Sequence, residues 1–157
     1  MPLPTPQQFA ESLSTLLGVE IEATASDPIV WNSQDAFTAA DYHTQERTVG
    51  AAAVVDVKAV AYLGSCLTLT PQRNAEQMVD GRTIEPQAYE AFCEVMNILA
   101  GLLNDVDPVH VKLREVFPDR RKVNDALKKV VAKPSCVVAF DLEIPKYGTA
   151  KVNFFRP

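Results

Sequence analysis

The stretch Tyr89-Glu90-Ala91-Phe92-Cys93-Glu94-Val95-Met96-Asn97-Ile98-Leu99-Ala100-Gly101-Leu102-Leu103-Asn104 has two unlike faces when wound as a helix. At ~100° per residue, Glu90, Glu94, Asn97 and Gly101 fall within an arc of about 60°, while Phe92, Met96, Leu99 and Leu103 gather on the opposite side. One side belongs to a core and the other is presented. Pro86 opens this helix and Asp107-Pro108 stops it, which makes it the longest element and the spine of the expected fold.

Outward from the spine, the chain reads as a single domain over residues 1–157. Its 157 residues are 47% hydrophobic and 22% charged, enough apolar material for a sizeable core. A net charge of −5 and a pI near 5.0 argue against nucleic-acid binding, which requires many phosphates to be neutralised by Lys and Arg. The first residues resemble no signal peptide, and no apolar run nears the ~20 residues that span a bilayer, so a cytoplasmic protein with no membrane contact is expected. Cys66, Cys93 and Cys136 are odd in number, widely spaced and flanked by apolar residues, as reduced core thiols would be. His43 and His110 have no ligating neighbours at metal-site spacing.

Thr5-Pro6, an apolar stripe through Phe9, Leu13, Leu16 and Leu17, and then Gly18 predict a first helix. Val19 to Ala25 alternates as a strand, and Asp27-Pro28 ends it. Ile29 to Thr48 reads as loop with a short strand at Ile29 to Trp31. Val49 to Val57 and Ala59 to Leu69 read as paired central strands, with a bulge or close backbone approach at Gly64-Ser65. Thr70-Pro71 predicts a helix running to Gly81. After the spine, Val109 to Phe117 reads as a strand and Asp119 to Pro134 as a helix. Arg120, Arg121, Lys122, Lys128 and Lys129 make that helix the most basic segment of an acidic chain. Such a cluster suits an acidic partner or simply a solvated face. Cys136 to Ile144 and Thr149 to Phe155 form a closing hairpin. The sum is an α/β (α+β) domain with helices on a largely antiparallel sheet.

Several chemistries are excluded by spacing. No phosphate-cradling GxxxxGK[ST], no GxSxG around Ser65 and no HExxH is present. Cys66 and Arg73, read as lying in a strand-to-helix turn, lack the glycine-rich loop a cysteine phosphatase needs between them.

The segment Ala61 to Thr70, the helix Ala75 to Gly81, and Glu94-Val95-Met96-Asn97-Ile98-Leu99-Ala100-Gly101 together resemble the CheC/CheX/FliY family of chemotaxis phosphatases. In that family a hairpin ending in a glycine-containing strand precedes a short helix and then a long helix with an E-x-x-N pair and a nearby glycine. Glu94, Asn97 and Gly101 take those places. Glu90 stands where the family prefers Asp or Ser, and the motif occurs once, since the first helix offers only Glu11 and Ser14. That single site is more similar to CheX, whose members form homodimers through their sheets.

The resemblance implies dephosphorylation of a phosphorylated CheY-like receiver domain, which would supply both the aspartyl phosphate and Mg²⁺, with no cofactor in this chain. Asn97 would orient the attacking water and Glu94 would pair with the receiver's lysine, with Glu90 and Gly101 at the partner interface. Two other readings stay open at this point. One is a non-catalytic receiver-binding or flagellar-switch adaptor, and the other a sensing or scaffold domain outside signalling.

Overall fold

The computed structural model describes residues 2–157. Helix α1 spans Pro6–Leu17 and follows Thr5, whose hydroxyl accepts from the Gln8 N–H while the Gln8 side chain accepts from the Thr5 N–H, closing a capping box. Gly18 ends it in the left-handed conformation at φ 69°. Strand β1, Glu22–Ala25, is shorter than the expected strand, but its alternation holds: Ile21 and Ala23 turn inward and Glu22 and Thr24 outward.

Two expectations fail in the middle of the chain. The stretch expected to be loop contains a strand, β2, at Thr38–His43, while Ile29 to Trp31 forms none. β3 is Val49–Val55, but Ala59 to Leu69 is no strand, since residues Val57–Thr68 form helix α2. The Asp56 carboxylate starts it by accepting the Ala59 N–H at 2.9 Å. Every residue from Ala59 to Cys66 is buried, so this helix shows no polar stripe. An apolar run of that kind carries no periodicity that separates buried helix from buried strand.

Helix α3, Gln72–Gly81, follows Pro71, which caps it without a side-chain bond, so Thr70 is not its cap. Arg82 rather than Gly81 takes the left-handed stop. The spine is α4, Pro86–Val106. β4, Lys112–Phe117, begins later than expected and carries a bulge beside Asp41 and Tyr42. The basic helix is split into a 3₁₀ turn at Arg120–Lys122 and α5, Asp125–Ala132, which Asn124 caps. β5, Cys136–Ile144, and β6, Gly148–Arg156, form the expected hairpin.

The six strands form one sheet in the order β1-β5-β6-β3-β2-β4, with every neighbour antiparallel. The larger core lies between this sheet and α1 to α4, where Phe9 stacks on Phe140 and Phe154 at 5.0 and 4.6 Å. A smaller core on the other face gathers Phe117, Val123, Leu127, Val130 and Phe155 under α5, with Ile29 and Trp31 packed against it. The Ile29 to Trp31 segment therefore covers the sheet. Its Ile29 N–H donates to buried Asn153 at 2.8 Å in the amide orientation that satisfies both groups.

Gly64 sets how closely α2 approaches α4. A Cβ there would stand 2.1 Å from the Ala88 carbonyl oxygen, which is backbone and cannot swing aside. Gly64→Ala is expected to lower stability by about 1–3 kcal/mol despite its better helix propensity, read as a drop in the urea midpoint. An unchanged midpoint would show that the helices separate freely.

Burial pushes the Asp56 carboxyl up to about 6, against the Ala59 N–H that favours its charged form. Between pH 4 and 6 the folded state therefore holds a proton that the unfolded chain has lost, and stability falls as pH rises through that window. Asp56→Asn keeps the cap acceptor and removes this dependence. The variant should gain on the parent by roughly 2–3 kcal/mol between pH 4 and pH 7, measured by urea unfolding at both. A parallel pH profile in the two proteins would contradict this.

Candidate functional site

Proline at its first turn, predominantly strong helix formers and a broad apolar face account for α4, whose 21 residues span about 31 Å. Its burial follows the helical wheel: Ala88, Ala91, Phe92, Val95, Met96, Leu99, Ala100 and Leu103 are buried, whereas Glu90, Glu94, Asn97 and Gly101 are exposed. The structure thus brings the four sequence-derived residues onto one surface stripe.

That stripe is held rigidly from behind. Near its start, the Gly64 approach seats α4 on α2, and Tyr89 donates its hydroxyl to the Val116 carbonyl of β4 at 3.2 Å. At the middle, Tyr42 of β2 donates to the Met96 carbonyl at 2.7 Å, immediately before Asn97. Tyr42 is fully buried, and burial carries its ionisation far above the ordinary tyrosine range, so it remains a donor at every physiological pH. Near the end, the Asn104 carboxamide donates to the Val111 carbonyl at 2.9 Å and accepts the Val111 N–H at 2.8 Å. Buried Arg156 donates to the carbonyls of Leu103 and Gly50.

Tyr42 and Arg156 escaped the sequence reading. The run Thr38-Ala39-Ala40-Asp41-Tyr42-His43 is mixed in polarity because Asp41 is itself buried. Asp41 accepts from the Glu115 N–H at 3.1 Å and from Asn124 at 3.5 Å, and lies 3.3 Å from His43. The alternation of Ala40 and Tyr42 against Asp41 and His43 was the available signal.

Among the described residues, the side chains of Glu90, Glu94 and Asn97 make no hydrogen bond and the two glutamates no ion pair. A Cβ at Gly101 would meet nothing within 4 Å, so this glycine answers no steric demand inside the chain. Ile98 stands beside Asn97 at 39% exposure and adds an apolar contact point. None of the main surface hollows is lined by these residues. The stripe is an exposed helix face outside those hollows, unlike the pockets that enclose small substrates.

None of the three cysteines is exposed on this surface. Cys93 is half-buried beside Tyr89 and Glu90, and burial raises its thiol pKa against the opposing hydrogen bond with Tyr89, with the charge of Glu90 adding to the rise. Cys66 lies inside α2, where burial also raises its thiol pKa, and Arg73 is exposed on α3. Cys66 and Arg73 therefore sit on consecutive helices rather than across a strand-to-helix turn. Cys136, like Cys93, is half-buried rather than core. On α1, Ser14 is committed to a structural pair, donating to the Ile21 carbonyl and accepting its N–H, which leaves Glu11 without a polar companion for a second site.

No helix is long and apolar enough to cross a membrane among the described residues. The sequence matches no family model and no curated protein. Its fold, by contrast, recurs in solved structures. A chain of the FliM–SpeE complex from H. pylori is similar at a TM-score of 0.67 and 8% identity, over 97% of this chain and 81% of that one. The FliM middle domain of Vibrio alginolyticus is similar at 0.61 and 13%, over 96% and 88%. FliY of Thermotoga maritima is similar at 0.58 and 18%, over 98% and 91%. The strand that the resemblance places around Gly64 is helix α2 instead, yet the rest of the architecture agrees: this chain has the fold of FliY and of FliM middle domains.

Proposed function

We propose that the chain dephosphorylates a CheY-like response-regulator receiver by presenting Glu94 and Asn97 to the receiver's active site. One observation carries this reading: a carboxylate and a carboxamide one turn apart, without partners of their own among the described residues, on an exposed helix face pinned from behind. Such a face can reach into another protein's site.

The chemistry suits the residues. Hydrolysis of an aspartyl phosphate requires a water placed in line with the phosphorus–oxygen bond that breaks. The Asn97 carbonyl oxygen can accept from that water while its NH₂ donates towards the phosphoryl oxygens. Glu94 offers a charge to a cationic group of the receiver and so fixes the register of docking. Glu90, one turn earlier, extends the acidic stripe, and the bare Cα of Gly101 leaves room for partner backbone. In this reading the phosphate and the Mg²⁺ both come with the receiver, and this chain supplies orientation and electrostatics. The setting is cytoplasmic. A homodimer joined through its sheets would use an open edge, β1 or β4.

A second reading is a switch adaptor of the same fold that binds a receiver without hydrolysing its phosphate. Phosphate release from a phosphorylated receiver, measured beside a pull-down, separates the two. The phosphatase reading expects accelerated release by the parent chain. Asn97→Ala should still bind but lose about 100-fold in kcat, the effect of removing one positioned polar group worth about 3 kcal/mol. Glu94→Ala should act mainly on apparent KM. Binding without release by the parent chain would establish the adaptor, and full activity in Asn97→Ala would sink the assigned role.

A further inference from the structure

Where the segment 32–37 meets Arg82 at the end of α3 and the turn at 118–121, a hollow of about 510 Å³ is lined by Arg82, Arg120 and Arg121, with Asp119 as its one acidic residue. Its charged groups are thus net positive by two in a chain of net charge −5. The Asp119 carboxylate is already occupied: it accepts the Arg121 side chain from Nε and Nη2 at 2.9 Å each, and the Arg121 N–H at 2.9 Å. Arg82 and Arg120 make no ion pair among the described residues.

Both free guanidinium groups are held in place by aromatic rings. Arg82 lies 5.1 Å over Phe37 and Arg120 lies 5.6 Å over Trp31. Arg82 is further fixed by its bond to the Gln34 carbonyl at 3.0 Å, and the backbone N–H of Arg120 donates to the Phe37 carbonyl at 3.0 Å. Stacking on a ring face restrains the plane of a guanidinium and leaves its edge N–H groups available, so the entropy of ordering two long side chains is spent before any ligand arrives. Asn32 and Gln34 add carboxamides to the lining. A doubly charged tetrahedral oxyanion has enough acceptor oxygens to engage two such forks together.

We propose that this hollow binds a doubly charged oxyanion of the phosphate class, either free phosphate or a phosphate monoester on a partner. The site is independent of the α4 stripe and does not rest on the receiver reading. It also gives the Ile29 to Thr48 stretch a role besides covering the sheet, since Trp31, Asn32, Gln34 and Phe37 all come from it.

Trp31 is the only tryptophan in the chain and lies under Arg120, so its fluorescence reports directly on the site. The experiment titrates the full chain, at fixed ionic strength, with inorganic phosphate, with a phosphoserine peptide and with the same peptide unphosphorylated. A saturable change is expected with phosphate and the phosphopeptide and none with the unmodified peptide. Tighter binding of the phosphopeptide assigns a protein-borne group, and equal or weaker binding assigns free phosphate. Arg82→Gln, which leaves the Trp31–Arg120 reporter pair intact, should bind at least tenfold more weakly, with Arg82→Lys between it and the parent. Lys122→Gln, an exposed cation outside the hollow, should bind as the parent does. The proposal is overturned if neither phosphate nor phosphopeptide gives a saturable signal, if Arg82→Gln binds as tightly as the parent with its melting curve unchanged, or if Lys122→Gln loses as much as Arg82→Gln.

Discussion

The close crossing of α2 and α4 at Gly64 and Ala88 is the constraint on which the rest of the structure depends. A side chain at residue 64 would force the two backbones apart, and α4 would lift from the layer that seats it. Because α4 lies close, Tyr42 can reach the Met96 carbonyl from the sheet. The arc left facing solvent is then the one bearing Glu90, Glu94, Asn97 and Gly101. Packing with one face covered thus determines which residues the other face offers, and the ties from Tyr89, Asn104 and Arg156 keep that offer from rotating. Rigid presentation matters for a surface meant to work inside another molecule, since the entropy of positioning is spent during folding rather than at the encounter.

Such an arrangement also explains the sparseness of the chemistry. The thiols nearest the stripe and within α2 are driven towards their neutral form by burial, and α1 uses its candidate hydroxyl, Ser14, to hold Ile21. What remains exposed is a carboxylate pair and a carboxamide with unspent hydrogen-bonding capacity. The acidic stripe on α4 and the basic hollow beside Trp31 stand on separate parts of the fold. An acidic chain thereby offers two surfaces of opposite sign to different ligand chemistries.

The candidate site was legible in the sequence because α4 is amphipathic: its 3.6-residue periodicity survives in the burial pattern residue by residue. The closing hairpin and α1 were legible for similar reasons, one through the alternation of Phe140, Leu142, Ile144, Ala150 and Val152 around the turn at Pro145-Lys146-Tyr147-Gly148 and the other through its cap and its glycine stop. α2 was not. Its side chains are buried on all sides, so the pattern that would distinguish helix from strand is erased, and its strongest local clue was Asp56 acting as a cap. β2 was hidden by the opposite problem, a buried aspartate whose satisfaction comes from Glu115 and Asn124, far along the chain. Both errors arise where tertiary contacts override local preference, and both elements lie directly behind the site.

The central claim, that the α4 stripe is the surface a receiver meets, is tested most directly by mapping backbone amide shifts of the isotope-labelled chain on adding a receiver loaded with beryllium trifluoride, a phosphoryl mimic. The account predicts perturbations concentrated between Glu90 and Gly101, with Asn97 and Ile98 among the largest, and little change in β1, β5 or α5. Perturbations confined to a sheet edge or to the Trp31 side, with the amides of residues 90–101 unmoved, would contradict it.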